Sequence, residues 1–183
     1  MEQETNSQPH KRTERIKFVV SGPVSAGKTQ FIQTASGVTP VQTEVSRANL
    51  DPPGMNNATA ALDFGQVKID SKLIYLFGTP GQDRFEFMWD ILSEEMDGLI
   101  FLLDAASLLD SIYAKMMLDY YLEYYQVPIQ ICANKQDLPN ALSPEEVRTV
   151  LELKDSAAIL PICAKRKEDV LQTLKLILAK IGK

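Results

Sequence analysis

The chain has 183 residues and a formal net charge of −5, enough for one α/β domain with a sizeable core and the wrong sign for nucleic acid as main partner. No apolar run reaches the roughly 18 residues of a membrane span, and no early apolar stretch resembles a secretion signal. Glu2 excludes the N-myristoylation pattern and the ending Lys180-Ile181-Gly182-Lys183 lacks a prenylation box, so the sequence predicts a cytoplasmic protein without an intrinsic membrane anchor. Residues 1–15 are polar, hold the only histidine, His10, and read as a disordered, solvated tail. From Ile16 onward, apolar strand-like runs alternate with longer amphipathic stretches, the pattern of a mostly parallel α/β sheet. Ile16 to Ser21 reads as a buried strand, Gly22 to Thr29 as a turn rich in small residues, and Gln30 to Thr34 as the opening of a helix.

Ser36 to Ala58 is long, carries Pro40, Pro52, Pro53 and Gly54, and shows little periodicity, so it reads as a functional or disordered loop. Thr59 to Ile69 and Leu73 to Phe77 flank Asp70-Ser71-Lys72, which predicts an antiparallel hairpin in the sheet. A helix is expected within Asp83 to Met96, with Phe85, Met88, Trp89 and Leu92 on one side. Leu99 to Leu103 reads as a central strand. Leu108 to Tyr125 reads as a helix with Ile112, Met116, Tyr120 and Tyr124 at helical spacing. Pro128 to Ala133 is another strand. Ser143, Pro144 and Glu146 form a capping-box start for a helix running to about Leu153. Ile159 to Cys163 is the last strand, and Glu168 to Ile181 the last helix, with Val170, Leu171, Leu174, Ile177 and Leu178 as its core stripe. The two cysteines, Cys132 and Cys163, read as small buried apolar residues in a reducing compartment.

Four groups carry chemistry. Gly22-Pro23-Val24-Ser25-Ala26-Gly27-Lys28-Thr29, between a strand and a helix, matches the phosphate-binding loop G-x-x-x-x-G-K-T. Its glycines let backbone N–H groups turn inward at a helix N-terminus, where Gln30 follows. Lys28 is placed to reach the outer phosphates and the Thr29 hydroxyl to hold Mg²⁺. In Asn134-Lys135-Gln136-Asp137 the aspartate can accept from N1–H and the exocyclic amine of guanine, a donor pair adenine lacks. The stem of Lys135 can lie over the base, and Asn134 can tie this loop to the phosphate loop. In Gly78-Thr79-Pro80-Gly81-Gln82, Gly81 can bring its N–H to a γ-phosphate and Gln82 can orient the attacking water. Cys163-Ala164-Lys165 can offer backbone N–H groups to the base carbonyl.

In this order the four groups resemble the Ras-like superfamily of small GTPases over about Ile16 to Ile181. Phe77-Gly78-Thr79-Pro80-Gly81-Gln82-Asp83-Arg84-Phe85 resembles a bacterial and archaeal branch. That branch includes the polarity GTPase of gliding motility and homologues of the β subunit of the signal-recognition-particle receptor. The resemblance implies a G domain over 16–183 with the P-loop NTPase fold. Its sheet would have six mostly parallel strands, one of them antiparallel, with helices on both faces. It implies a switch that binds GTP and GDP with Mg²⁺ and hydrolyses GTP. Thr59, in Thr59 to Phe64, would be the second metal ligand in the GTP state. Segments 37–59 and 78–96 would change shape with the nucleotide. They would engage an effector or a GTPase-activating partner, with roadblock-type proteins as the branch's usual associates.

Two departures from the family pattern stand out. The family usually has a metal-associated aspartate where Gly78 stands, which leaves Asp63 or Asp104 as candidate replacements. Val24 stands where many members have glycine, so it can crowd Gln82 or an arginine finger. Both departures favour slow intrinsic hydrolysis. Arg47 and Arg84 are candidate fingers within the chain, a partner is the other source, and solvated loop arginines are the plain alternative. Phe85, Phe87, Met88 and Trp89 read equally as partner surface and as core. Two rival functions remain open on sequence: a GTP- or GDP-binding module that does not hydrolyse, and an ATP-using P-loop enzyme.

Overall fold

A computed structural model describes residues 14–37, 41–46, 59–81, 86–107, 109, 111–154 and 156–182, with the side chains of 41–46 and 59–61 outside that description. The chain runs β1 (Glu14–Ser21), α1 (Lys28–Ser36), β2 (Val41–Ser46), β3 (Thr59–Ile69), β4 (Lys72–Gly78), α2 (Phe87–Ser93) and β5 (Gly98–Asp104). It continues through α3 (Ser111–Tyr124), β6 (Ile129–Asn134), α4 (Pro144–Val150), β7 (Ile159–Pro161) and α5 (Lys167–Ile181). The strands form one sheet in the order β2-β3-β4-β1-β5-β6-β7. β4, β1, β5, β6 and β7 pair in parallel, and β3 runs antiparallel to both neighbours.

The six expected strands and the single reversed one are therefore present, and β2 adds a seventh at the edge, inside the segment read as a loop. Val41-Gln42-Thr43-Glu44-Val45-Ser46 alternates β-branched with polar residues, the period of a half-buried strand. The prolines on either side mask that signal. At the other end of the loop–strand boundary, β1 begins at Glu14, two residues before the apolar run. Glu14 and Arg15 pair with Lys72 and Leu73, and the Glu14 carboxylate meets Lys72 Nζ at 3.1 Å. The tail boundary placed at Arg15 thus moves back, because pairing extends a strand beyond its apolar core. Residues 1–13 lie outside the described residues.

Strand alternation splits the core into two layers. Ile16, Phe18 and Val20 of β1, with Ile100 and Leu102 of β5, pack against Phe31 and Ile32 of α1 and Val170, Leu174 and Ile177 of α5. Val19, Leu99, Phe101 and Leu103 face the opposite way, toward Trp89 of α2, Met117, Leu118 and Tyr121 of α3, and Val147 of α4. The expected α5 stripe holds, with Leu171 and Leu178 packed at its margins. The expected capping box also forms: Ser143 Oγ accepts from the Glu146 N–H, and Glu146 Oε2 accepts from the Ser143 N–H. Both cysteines are buried and free.

Of the four residues at helical spacing on α3, only Tyr120 packs against the core. Ile112 is 88% exposed, and Met116 and Tyr124 are also exposed, while Ala114, Met117, Leu118 and Tyr121 are buried. The reason is geometric. Residues four apart advance 400° per step, so Ile112 to Tyr124 drifts around the helix, whereas the i, i+3, i+4, i+7 set holds one face. On α2, Met88 and Trp89 resolve as core, and Ile91 is the exposed apolar residue. Phe85 lies outside the described residues.

Candidate functional site

β1 is the pivot of the sheet. The chain leaves it to form β3 and β4 on one side and β5 to β7 on the other, so a crevice opens beyond its carboxyl end. The loop from Gly22 fills that crevice. Its conformation demands glycine at two points: Gly22 has φ 139° and Gly27 has φ 97°. A Cβ at Gly22 would lie 2.1 Å from the Leu102 carbonyl oxygen, and one at Gly27 would lie 2.3 Å from Asn134 Nδ2. Gly27 caps α1, whose first turn carries no acidic residue. The helix dipole and its N–H groups therefore present unopposed positive potential to the loop. Ser25 holds φ 64°, a left-handed conformation that costs a non-glycine residue about 1–3 kcal/mol and is typical of a ligand cradle.

Lys28 Nζ lies inside the loop, donating to the carbonyl oxygens of Gly22 and Pro23 at 2.7 Å each. Burial lowers its ammonium to about 8, partly opposed by the negative charge of Asp63. An anion in the loop restores the full charge. Gly81 packs onto the same loop: a Cβ there would fall 2.6 Å from Lys28 Nζ and from the Val24 nitrogen. Val24 stands at the rim, 47% exposed. Gln82, Arg47 and Arg84 lie outside the described residues.

The base side is built from the ends of β6 and β7. Asn134 is buried; its Nδ2 donates to the Ala26 carbonyl at 2.8 Å, and its Oδ1 accepts from the Ala164 N–H at 2.8 Å. One side chain thereby fastens three loops, the tie expected from sequence. Lys135 takes φ 68°, and its Nζ meets Asp104 Oδ2 at 2.5 Å, which pins the stem along the cleft wall. Asp137 accepts from Lys165 Nζ at 3.1 Å, and this ammonium together with Cys163 holds its carboxyl below the usual carboxylate range. Gly27, Gln30, Asn134, Lys135, Asp137 and the run Cys163 to Lys165 line one cleft of about 330 Å³. Leu138, which the sequence reading left out, completes the lining. Its signal was position, one residue beyond the aspartate.

Of the Cys163 to Lys165 run expected to offer N–H groups to the base, Cys163 donates to Asp169 Oδ2 at 2.7 Å and Ala164 to Asn134 Oδ1 at 2.8 Å within the protein. Of the two candidate replacement carboxylates, Asp104 meets Lys135 Nζ at 2.5 Å and accepts from the Ala106 N–H. Asp63 instead accepts from Thr29 Oγ1 at 2.5 Å. A hydroxyl and a carboxylate side by side are hard oxygen donors that suit Mg²⁺. Thr59 sits on β3 four residues before Asp63, its side chain outside the described residues. The sequence reading also missed a buried chain in which Thr79 Oγ1 donates to Ser21 Oγ at 2.9 Å and Ser21 Oγ donates to Tyr121 Oη at 3.3 Å. It links the ends of β1 and β4 to α3. Polar residues closing otherwise apolar strands were the available clue.

A phosphate loop at the sheet's switch point, facing a base cleft across Asn134, defines a P-loop nucleotide-binding domain of the small G type. Residues 4–181 match the sequence profile of the ADP-ribosylation factor family. The chain belongs to that family, a branch of the Ras-like small GTPases, and is a nucleotide-binding switch protein. It is 26% identical to an uncharacterized protein of Methanocaldococcus jannaschii, covering 92% of this chain and 98% of that one. It is 24% identical to the mutual gliding-motility protein MglA of Myxococcus xanthus, covering 91% and 92%. The Arl6 BBS3 small GTPase of Trypanosoma brucei, solved with the nucleotide analogue GppNp, shares the fold with a TM-score of 0.69 at 17% identity, over 92% of this chain and 98% of that one.

Proposed function

We propose that this chain is a Mg²⁺-dependent, guanine-specific switch that hydrolyses GTP slowly and reports its nucleotide state to a protein partner in the cytoplasm. The observation that carries the reading is Asn134, which couples the phosphate loop to a cleft bordered by Asp137. In this reading the 22–29 amides and Lys28 stabilise phosphate charge, and Asp137 leaves Lys165 to accept the two guanine N–H groups. Lys135 and Gly27 bound the base plane. Mg²⁺, when bound, offsets charge on the phosphate oxygens, with Thr29 as one ligand and Thr59 as another in the GTP state. A strand rises about 3.3 Å per residue, so Thr59 starts some ~13 Å along β3 from Asp63. In this reading 37–59 is the first switch, and its end brings Thr59 to the metal in the GTP state.

Gln82, directly after the loop-packed Gly81, orients the attacking water, and segment 78–96 forms the second switch. Slow turnover follows from the branched Val24 beside Gly81 and from glycine at position 78. An arginine finger is worth about 10³ to 10⁵ in rate, and it comes from Arg47, Arg84 or a GTPase-activating partner, of which roadblock-type proteins are one kind. Competition of GTP and ATP against labelled GDP tests the specificity. GTP should displace GDP at least about 10³-fold more effectively than ATP; comparable affinities would refute the reading. The exposed Val24 also favours a second reading, a binding module without hydrolysis. Single-turnover assays with Mg²⁺ and partner separate the two: phosphate release no faster than in water establishes the module.

A further inference from the structure

We propose that Asp63 supplies the carboxylate of the Mg²⁺ site that this chain lacks at Gly78, so that the metal is held from the reversed strand β3 instead of β4. The inference rests on the nucleotide-switch reading and deepens its metal site. Asp63 and Gly78 are direct partners in the antiparallel β3–β4 ladder, which sets their Cα atoms about 4.5–5.5 Å apart. The carboxylate therefore moves sideways by one strand, not along the chain. A Cβ at position 78 would lie 3.0 Å from Asp63 Cβ and 3.0 Å from Ile32 Cδ1. That is closer than side chains pack at ease, so an aspartate at each position would compete for one space. Glycine at 78 is the complement of aspartate at 63.

The direction of the side chain supports the same assignment. Asp63 Oδ2 lies 2.5 Å from Thr29 Oγ1, the hydroxyl that the phosphate-loop motif offers to the metal. Its charge also reaches Lys28. The other carboxylate near the strand tips, Asp104, is committed to Lys135 at 2.5 Å. Mg²⁺ sites in phosphate-binding proteins use one or two carboxylates beside substrate oxygens and waters. Thr29 and Asp63 meet that description among the described residues.

The test uses the full chain loaded with fluorescent GDP and follows nucleotide release against free Mg²⁺, with Mn²⁺ affinity measured in parallel by paramagnetic resonance. Asp63→Asn should raise the Mg²⁺ needed for half-suppression of release about 10- to 100-fold, leaving release in excess chelator unchanged. Asp63→Gly, which also clears the Cβ that position 78 would meet, should do the same, and adding Gly78→Asp to it should return the Mg²⁺ dependence to within about threefold of the parent. Wild-type Mg²⁺ dependence in Asp63→Asn overturns the inference. Should the Asp63 variants fail to fold, carbodiimide labelling of the parent chain decides. Mg²⁺ added to the GDP complex protects Asp63 if the inference holds, and leaves its labelling unchanged if it does not. A parent chain that binds GDP with no Mg²⁺ effect overturns this inference alone; one that binds no GDP overturns the switch reading and this inference with it.

Discussion

Replacing Asn134 with alanine removes two hydrogen bonds at once and leaves two backbone groups to account for. The Ala26 carbonyl loses its 2.8 Å donor and the Ala164 N–H loses its 2.8 Å acceptor. Each orphaned buried group costs about 1–3 kcal/mol. The neighbouring cleft admits water to part of this space, so the lower half of the range applies and the sum is about 2–4 kcal/mol. For a domain of this size 1 kcal/mol moves Tm by about 2–4 °C, which gives a fall of about 4–16 °C. Asn134→Asp is the informative companion. It keeps the acceptor for Ala164 but sets an anionic oxygen against the Ala26 carbonyl, so it should be no more stable than alanine. Circular dichroism melts, with and without saturating GDP, read both variants. GDP release from each should also quicken, since the phosphate loop and the Cys163 to Lys165 loop lose their common anchor. A Tm within 2 °C of the parent together with unchanged release would refute the argument that one side chain holds the two halves of the site.

Asp137→Asn exchanges two acceptors for an acceptor and a donor, which suits xanthine better than guanine. The carboxylate is 31% exposed, so the full discrimination of a buried site is reduced, and GDP should weaken about 10²- to 10³-fold while XDP gains; displacement of labelled GDP and XDP measures it. Tyr121→Phe removes the buried acceptor of Ser21 Oγ and should lower stability by about 1 kcal/mol, read as a shift of the urea midpoint. Ser143→Ala removes the α4 cap at about 1 kcal/mol. In the same box, the Ser143 N–H and hydroxyl hold the Glu146 carboxyl below its usual 4.5. A depressed folded value means that the contribution is complete above pH 4.5 and is lost as pH falls through that lower value. Glu146→Gln should flatten this part of the acid unfolding curve, and an unchanged curve would count against the box.

The site was legible because its recognition elements are short and local. A glycine-bounded loop between strand and helix, or four polar residues closing an apolar strand, carry their chemistry within a few positions. Asn134, Asp137 and Lys28 therefore fall where the sequence places them. Features that depend on through-space pairing were harder to read. β2 is a six-residue edge strand whose alternation is interrupted by flanking prolines, and nothing local shows that it will find β3. The outward turn of Ile112 and Met116 depends on which face of α3 meets Phe101 and Val19, a choice made by the sheet. The engagement of the Cys163 N–H by Asp169 depends on how α5 enters the domain. The sequence raised Asp63 as a replacement carboxylate without separating it from Asp104. The ladder register and the Lys135–Asp104 pair are the observations that favour Asp63.

Placing the metal carboxylate on β3 has a consequence for switching. Thr59 and Asp63 lie on the same strand, four residues apart. If a β4 carboxylate held the metal, Mg²⁺ would bear on the strand that leads into Gly81. With Asp63 it bears on the strand that ends at Thr59 and pairs with β2 from Ser46↔Thr59 to Val41↔Phe64. Metal binding and the order of the β2–β3 edge are then one equilibrium, linked by the differential affinity of Mg²⁺ for the ordered arrangement. Hydrogen exchange in the GDP complex should show the amides of 60–64 exchanging faster in chelator than in Mg²⁺, at least about fivefold if Mg²⁺ supplies a kilocalorie or more of that order. In Asp63→Gly with Gly78→Asp, the Mg²⁺-sensitive amides should move to 76–78 on β4. A protection pattern that follows Mg²⁺ on β4 in the parent chain would place the coupling on the wrong strand and end this account of the switch.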